Sequence, residues 1–303
     1  MLRKETHTYK TVGSLKIEAD VYRRYGTRPQ PAILWIHGGA LIMGSRERTP
    51  PPALMERLTE RYTVVSIDYR LAPETQLADI VSDIEDACAW LAGAGPGLFG
   101  IDCDRVAVMG MSAGGYLALT AGYRANPPPK AVVAFYGYGD LTGAWYAEPS
   151  EFYRERYSLV ARDEAYKAVQ KTPISGAPDV PQTSDRDITG RPAFYLYCRQ
   201  NGLWPQLVCG RDPAIEADWF ARFEPLRNVT PAYPPALFLH GERDTDVPFE
   251  QSVLMKAALE KNNVPNDFVS HPEWGHAFDY NSDAPALGVA FDRVMSFLAA
   301  HFG

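Results

Sequence analysis

Ala107-Val108-Met109-Gly110-Met111-Ser112-Ala113-Gly114-Gly115-Tyr116 is an apolar run that enters a G-x-S-x-G turn, and an alanine- and leucine-rich segment leaves it. The pattern predicts strand, sharp turn, helix. Small residues at 110 and 114 let a strand reverse into a helix without a Cβ clash, and the serine oxygen then stands proud of the sheet at a helix N-terminus. Ser112 is the candidate nucleophile. Serine between glycines is also ordinary turn chemistry, so the reading depends on the rest of the chain.

Upstream, residues 4 to 24 alternate around Gly13-Ser14, with Leu15, Ile17, Ala19 and Val21 on one face. This predicts an antiparallel hairpin of edge strands. Pro31 to Ile36 reads as a buried parallel strand running into His37-Gly38-Gly39-Ala40. Thr63 to Ile67 is the next strand, ending in Asp68-Tyr69-Arg70-Leu71-Ala72-Pro73-Glu74, and an amphipathic helix from about Leu77 to Leu91 follows. Gly95-Pro96-Gly97-Leu98-Phe99-Gly100 matches G-x-G-x-x-G in letters, but it lies between a helix and a strand, the reverse of the dinucleotide order, and reads as a loop. Downstream, the helix from Ala113 to about Ala125 stops at Asn126-Pro127-Pro128-Pro129, and Ala131 to Tyr136 is a further buried strand.

The alternation then breaks down. Residues 142–233 are irregular and rich in Pro, Tyr and Trp, with a helix-like piece near Asp163 to Gln170 and an aromatic block Phe194-Tyr195-Leu196-Tyr197 before Trp204. A connection of that length in a compact domain predicts a lid or inserted cap. Strand Ala236 to Leu239, helix Glu250 to Lys261, strand Asp267 to Ser270 and a helix from Pro285 onward close the pattern. The expected architecture is α/β: a mostly parallel sheet flanked by helices, with residues 1–141 and 234–303 as the catalytic core and 142–233 as the cap.

Acyl transfer by serine needs a base, a carboxylate to orient the base, and donors for the oxyanion. Strand Ala236 to Leu239 ends in His240-Gly241-Glu242-Arg243-Asp244-Thr245-Asp246-Val247-Pro248, which offers Asp244 as the carboxylate and Asp246 as its rival. The last strand leads to Glu273-Trp274-Gly275-His276-Ala277-Phe278, which offers His276 as the base. His37 and His240 read as residues that hold loops at strand ends. Arg70 and Glu74 read as braces of their loop.

Together, HGGA at 37–40, DYRLAPE at 68–74, GMSAGG at 110–115, HGERDTDVP at 240–248 and GHAF at 275–278 resemble the hormone-sensitive-lipase-like branch of the α/β-hydrolase carboxylesterases. The resemblance spans residues 31–140 and 234–302, with the triad in the order Ser, Asp, His. It implies an α/β-hydrolase fold and an oxyanion hole built from the backbone N–H groups of Gly39, Ala40 and Ala113. Ala40 stands where the family usually has a third glycine, which keeps the donor and adds a methyl group beside the acyl pocket. The family's larger N-terminal cap is not expected here, since the segment before Ile33 reads as a hairpin.

The expected activity is cofactor-free hydrolysis of a small or medium apolar or aromatic carboxylic ester through an acyl-enzyme on Ser112. Lactone hydrolysis and arylformamidase chemistry would use the same triad. A receptor of the plant gibberellin type would lack the histidine that stands here at 276. Tyr195, Tyr197 and Trp204 are the candidate substrate-lining aromatics. The 303 residues carry a formal net charge of -7, which gives no footprint for nucleic acid, and no run approaches the ~20 apolar residues of a membrane span. A cytoplasmic location is the default expectation; a homodimer stays open. The four cysteines show no metal-ligand spacing, and Cys88 lies on the apolar stripe of its helix, so no metal is expected.

Overall fold

The computed structural model of the chain describes residues 2–24, 29–177, 188–281 and 285–302. Its frame is one eight-stranded sheet. The strands are β1 (Leu2–Val12), β2 (Leu15–Arg24), β3 (Gln30–Ile36), β4 (Thr63–Ile67), β5 (Ile101–Met111), β6 (Ala131–Phe135), β7 (Ala236–Gly241) and β8 (Asn266–His271). They lie in the order β1-β2-β4-β3-β5-β6-β7-β8. From β4 through β3 to β8 every neighbour is parallel; β1–β2 and β2–β4 are antiparallel. The hairpin is antiparallel, as expected, but of its two strands only β1 is an edge, because β2 pairs with β4.

The helices are α1 (Pro52–Arg61), α2 (Leu77–Phe99), α3 (Ala113–Arg124), then α4 (Ala144–Ala147), α5 (Glu151–Arg156), α6 (Arg162–Ala165), α7 (Gly190–Asn201), α8 (Trp204–Cys209), α9 (Ala217–Ala221), and after β7 α10 (Glu250–Lys261), α11 (Phe278–Asn281) and α12 (Pro285–Phe302). Strand residues alternate between two cores. Leu34, Ile36 and Val108 face α2 and α3 with Ile80, Ile84 and Leu117. Ile33, Trp35 and Met109 face α1 and α12 with Leu58, Phe291 and Leu298. Burial on both faces is why these strands read as continuous apolar runs rather than alternating ones.

Two local expectations change. The loop expected at Gly95 to Gly100 is the last part of α2, which runs to Phe99 and ends on Gly100 in the left-handed conformation. A proline inside a helix costs ~3 kcal/mol. Burial of Phe99 offsets ~1.5–3 kcal/mol of that, with its ring 5.6 Å from Trp90 and 4.8 Å from His7. These contacts, which lie outside the local sequence, favour the helix through the glycines and the proline. The stretch expected to be irregular between β6 and β7 holds α4 to α9, and the aromatic block lies on α7. Most of these helices are too short for an apolar period to show.

Candidate active site

The turn at Ser112 is built by close approach. A Cβ on Gly110 would lie 2.2 Å from the Gly114 carbonyl oxygen, and one on Gly114 would lie 2.1 Å from that of Ile36. Neither position can carry a side chain, so β5 passes directly into α3. Ser112 takes the strain of the reversal, at φ 53° and ψ -121°. Its N–H donates to Phe135 O at 2.8 Å and its own carbonyl accepts the Tyr116 N–H at 3.0 Å, which pins the turn between β6 and α3.

The loop after β3 lies beside that serine. A Cβ on Gly38 would lie 3.2 Å from the Ser112 Cβ. Gly39, Ala40 and Leu41 all have positive φ, at 108°, 57° and 63°. A Cβ at 39 would lie 2.1 Å from Met43 O, so glycine is obligatory there. The loop turns because Ile42 and Met43 both donate to Gly39 O, at 2.8 and 2.9 Å. Among the described residues no backbone acceptor takes the N–H of Gly39 or Ala40. Ala113, the first residue of α3, has no intrahelical acceptor for its own N–H.

His37 is buried behind this loop. It stacks on Tyr69 at 4.3 Å with Nδ1 2.7 Å from Gly38 O, and burial pushes its imidazole down to about 3. It is a neutral prop. His240 likewise braces its loop, with Nδ1 2.8 Å from Ser252 Oγ and Nε2 3.1 Å from Val247 O.

Asp244 and His276 meet at the C-terminal ends of β7 and β8. His276 Nδ1 lies 2.8 Å from Asp244 Oδ2, and the other oxygen of Asp244 accepts the N–H groups of Asp246 and Val247 at 2.8 and 2.9 Å. Burial works to raise the Asp244 carboxyl, but His276 and His240 outweigh it and hold the group well below the usual carboxylate range. An ionised Asp244 accepts from Nδ1–H, which leaves Nε2 of a neutral imidazole as the basic nitrogen. The imidazole stands edge-on to Tyr136 at 4.7 Å, next in sequence to the residue that holds the Ser112 N–H. Among the described residues His276 makes no hydrogen bond to Ser112; Asp246 Oδ2 lies 3.4 Å from its Nε2.

Asp246 is therefore no solvated bystander, and sequence reasoning missed what holds it. Its Oδ1 accepts Tyr153 OH at 2.8 Å, Arg199 Nη1 at 2.6 Å, and Tyr195 OH. Arg199 is 3 % exposed and is ringed by Trp145, Tyr146, Tyr153 and Tyr195 at 4.8–5.7 Å. The available signal was the pair Tyr195 and Arg199, four apart on one face of α7. Of the candidate lining aromatics, Tyr195 belongs to this cluster. Trp204 is fully buried, stacks on Tyr146 at 4.0 Å and donates its indole N–H to Ala40 O at 3.1 Å. Tyr197 is half-buried near Tyr166, at 6.4 Å. A cleft of about 510 Å³ borders Trp145, Glu148, Arg199, Asp244, Asp246 and Phe249.

Glu74 and Arg70 are held on the same side of the sheet. Arg191 on α7 grips both oxygens of Glu74 at 2.8–2.9 Å, and Arg70 grips both oxygens of Asp83 on α2. Among the described residues no cluster of His, Cys, Asp and Glu is arranged to hold a metal ion, and no helix is long and apolar enough to cross a membrane.

A family model described as the alpha/beta hydrolase fold matches residues 33–280. The esterase LipC of Mycobacterium tuberculosis is 31% identical over 265 residues, which cover 86% of this chain and 56% of LipC. The non-reducing polyketide synthase Preu6 of Preussia isomera is 29% identical over 315 residues, 94% of this chain but 14% of the synthase. The chain thus spans about one seventh of the length of several curated relatives it matches. Among solved structures, esterase 2 of Thermogutta terrifontis, in a form phosphoramylated by tabun, superposes with a TM-score of 0.68 at 18% identity, covering 98% of this chain and 94% of that one.

Proposed function

Because the chain belongs to the alpha/beta hydrolase family, we propose that it is a serine esterase that cleaves carboxylic esters of small or medium apolar or aromatic groups through an acyl-enzyme on Ser112. The observation that carries the reading is the Asp244–His276 contact of 2.8 Å, formed at the same sheet edge as the strained turn of Ser112. The resemblance of the chain to the esterase LipC supports the ester chemistry.

In this reading neutral His276 takes the Ser112 hydroxyl proton through Nε2 as Oγ attacks the ester carbonyl. Asp244 keeps the ring in the Nδ1–H tautomer and stabilises the imidazolium that forms. The N–H groups of Gly39, Ala40 and Ala113 receive the oxyanion, a contribution worth ~3–4 kcal/mol per donor in such sites. His276 then gives its proton to the departing alkoxide. Water repeats the sequence on the acyl-enzyme with the same base, and the acid is released.

The test is turnover of a panel of p-nitrophenyl esters, aryl acetates, lactones and formanilides. The reading expects esters to give the highest kcat/KM. A lactone or formanilide turned over faster than every ester would replace the ester reading and leave the triad in place.

A further inference from the structure

An orienting carboxylate on one imidazole nitrogen suffices for the proposed chemistry, yet His276 has a carboxylate on each side. We propose that Asp246 is a positioning residue for the histidine: gripped by three donors from the β6–β7 segment, it holds its second oxygen on the Nε2 side of the ring, favours the imidazolium that forms when His276 takes the serine proton, and moves the acid limb of activity to higher pH. This rests on the reading of His276 as the general base.

The geometry favours this over a simple tether. Tyr153, Tyr195 and Arg199 all bind one oxygen of Asp246, which leaves Oδ2 turned to Nε2 at 3.4 Å. A tether would need only Oδ1. Arg199 is a buried cation inside four aromatic rings, and Asp246 is the carboxylate it pairs with, at 2.6 Å. The donors come from α5 and α7, so the charge is fixed in place by the segment that packs over the oxyanion loop.

The other groups around His276 do not cancel it. Asp244 faces Nδ1, and both carboxylates favour the charged ring. Asp279 on α11 lies close enough to feel the imidazolium; burial pushes its own carboxyl up to about 6, so it loses its charge on the acid side of pH 6 and near neutrality adds to the two carboxylates rather than cancelling them. Tyr136 meets the imidazole in a T-shaped ring contact, and its hydroxyl donates to Asp279. Arg48, from the loop between β3 and α1, opposes the ring's charge, as burial does most strongly of all, and the two carboxylates still carry the balance above the ordinary 6.5. The sign follows: below its raised value the histidine is protonated and cannot accept the serine proton, so removing the Asp246 charge extends activity to lower pH.

The test is an NMR titration of the His276 ring in a Ser112→Ala background, paired with pH profiles of kcat/KM in the active enzyme. In the Ser112→Ala parent the ring should titrate above 6.5; a value at or below 6.5 overturns the proposal without any change at Asp246. Asp246→Asn should lower the ring's titration by about 1 pH unit or more. It should also lose far less activity at pH 5.5 than at pH 8, relative to the parent. A uniform loss at every pH with an unchanged titration would make Asp246 a tether and sink the idea. Where Asp246→Asn strands the Arg199 charge and fails to fold, Asp246→Asn/Arg199→Met removes the pair together and should show the same fall. If no ester is turned over at all, the esterase reading fails, while the titration still decides the role of Asp246.

Discussion

At the scale of the residue, Ser112 carries a backbone conformation that costs ~1–3 kcal/mol and persists only because its surroundings fix it. Removing its oxygen leaves those surroundings intact. Ser112→Ala should therefore keep the melting temperature within a few degrees and lose ~10⁴ to 10⁶ in kcat, because triad members act as a unit; substantial ester turnover in the purified, folded variant would contradict the assignment. Asp244→Asn should lose ~10⁴ in kcat near pH 8, since it upsets the tautomer that Nε2 needs. If Asp246→Asn were the more damaging change at that pH, the roles of the two carboxylates would be exchanged. The candidate triad was readable in the sequence because each member follows a strand of the parallel sheet, and strand ends meet at one edge of an open α/β sheet. The contact between Asp246 and Nε2 was not readable. It depends on Arg199 and Tyr153, whose partners lie 47 and 93 residues away, and nothing local to either residue marks that distance.

At the scale of the element, the turn from β5 to α3 and the loop after β3 hold each other in place. Gly114→Ala would drive a methyl group into the Ile36 carbonyl at 2.1 Å and should destabilise the fold by at least ~2–3 kcal/mol, visible as a drop in melting temperature; an unchanged melting temperature would mean the turn can open. Trp204→Phe keeps a ring against Tyr146 but loses the bond to Ala40 O. It should cost ~1 kcal/mol of stability and lower kcat more than it changes KM, because the bond orients the loop rather than the substrate. A change confined to KM would return Trp204 to the substrate pocket. Strands were legible as runs of Val, Ile, Leu and Ala buried on both faces. The end of α2 was not, since Gly95, Pro96 and Gly97 argue locally against a helix and Phe99 argues for one only through residues far away in sequence.

At the scale of the whole molecule, the chain reads as a parallel sheet with its chemistry at one edge, overlain by the segment between β6 and β7. That segment is tied down by Arg191 on Glu74, by Trp204 on Ala40 and by the cluster on Asp246. A tied, aromatic segment packed against the loop beside Ser112 suits compact acyl groups. Across p-nitrophenyl esters from acetate to palmitate, kcat/KM should peak at short or medium chains with a graded fall, since each buried methylene contributes only ~0.8 kcal/mol. A steady rise out to palmitate would mean an open groove. Ser112 as the nucleophile of this edge is tested by covalent labelling with a fluorophosphonate followed by peptide mass spectrometry. One phosphonyl group per chain is expected, on Ser112, and none in Ser112→Ala; a label on another residue, or equal labelling of the variant, would rule Ser112 out.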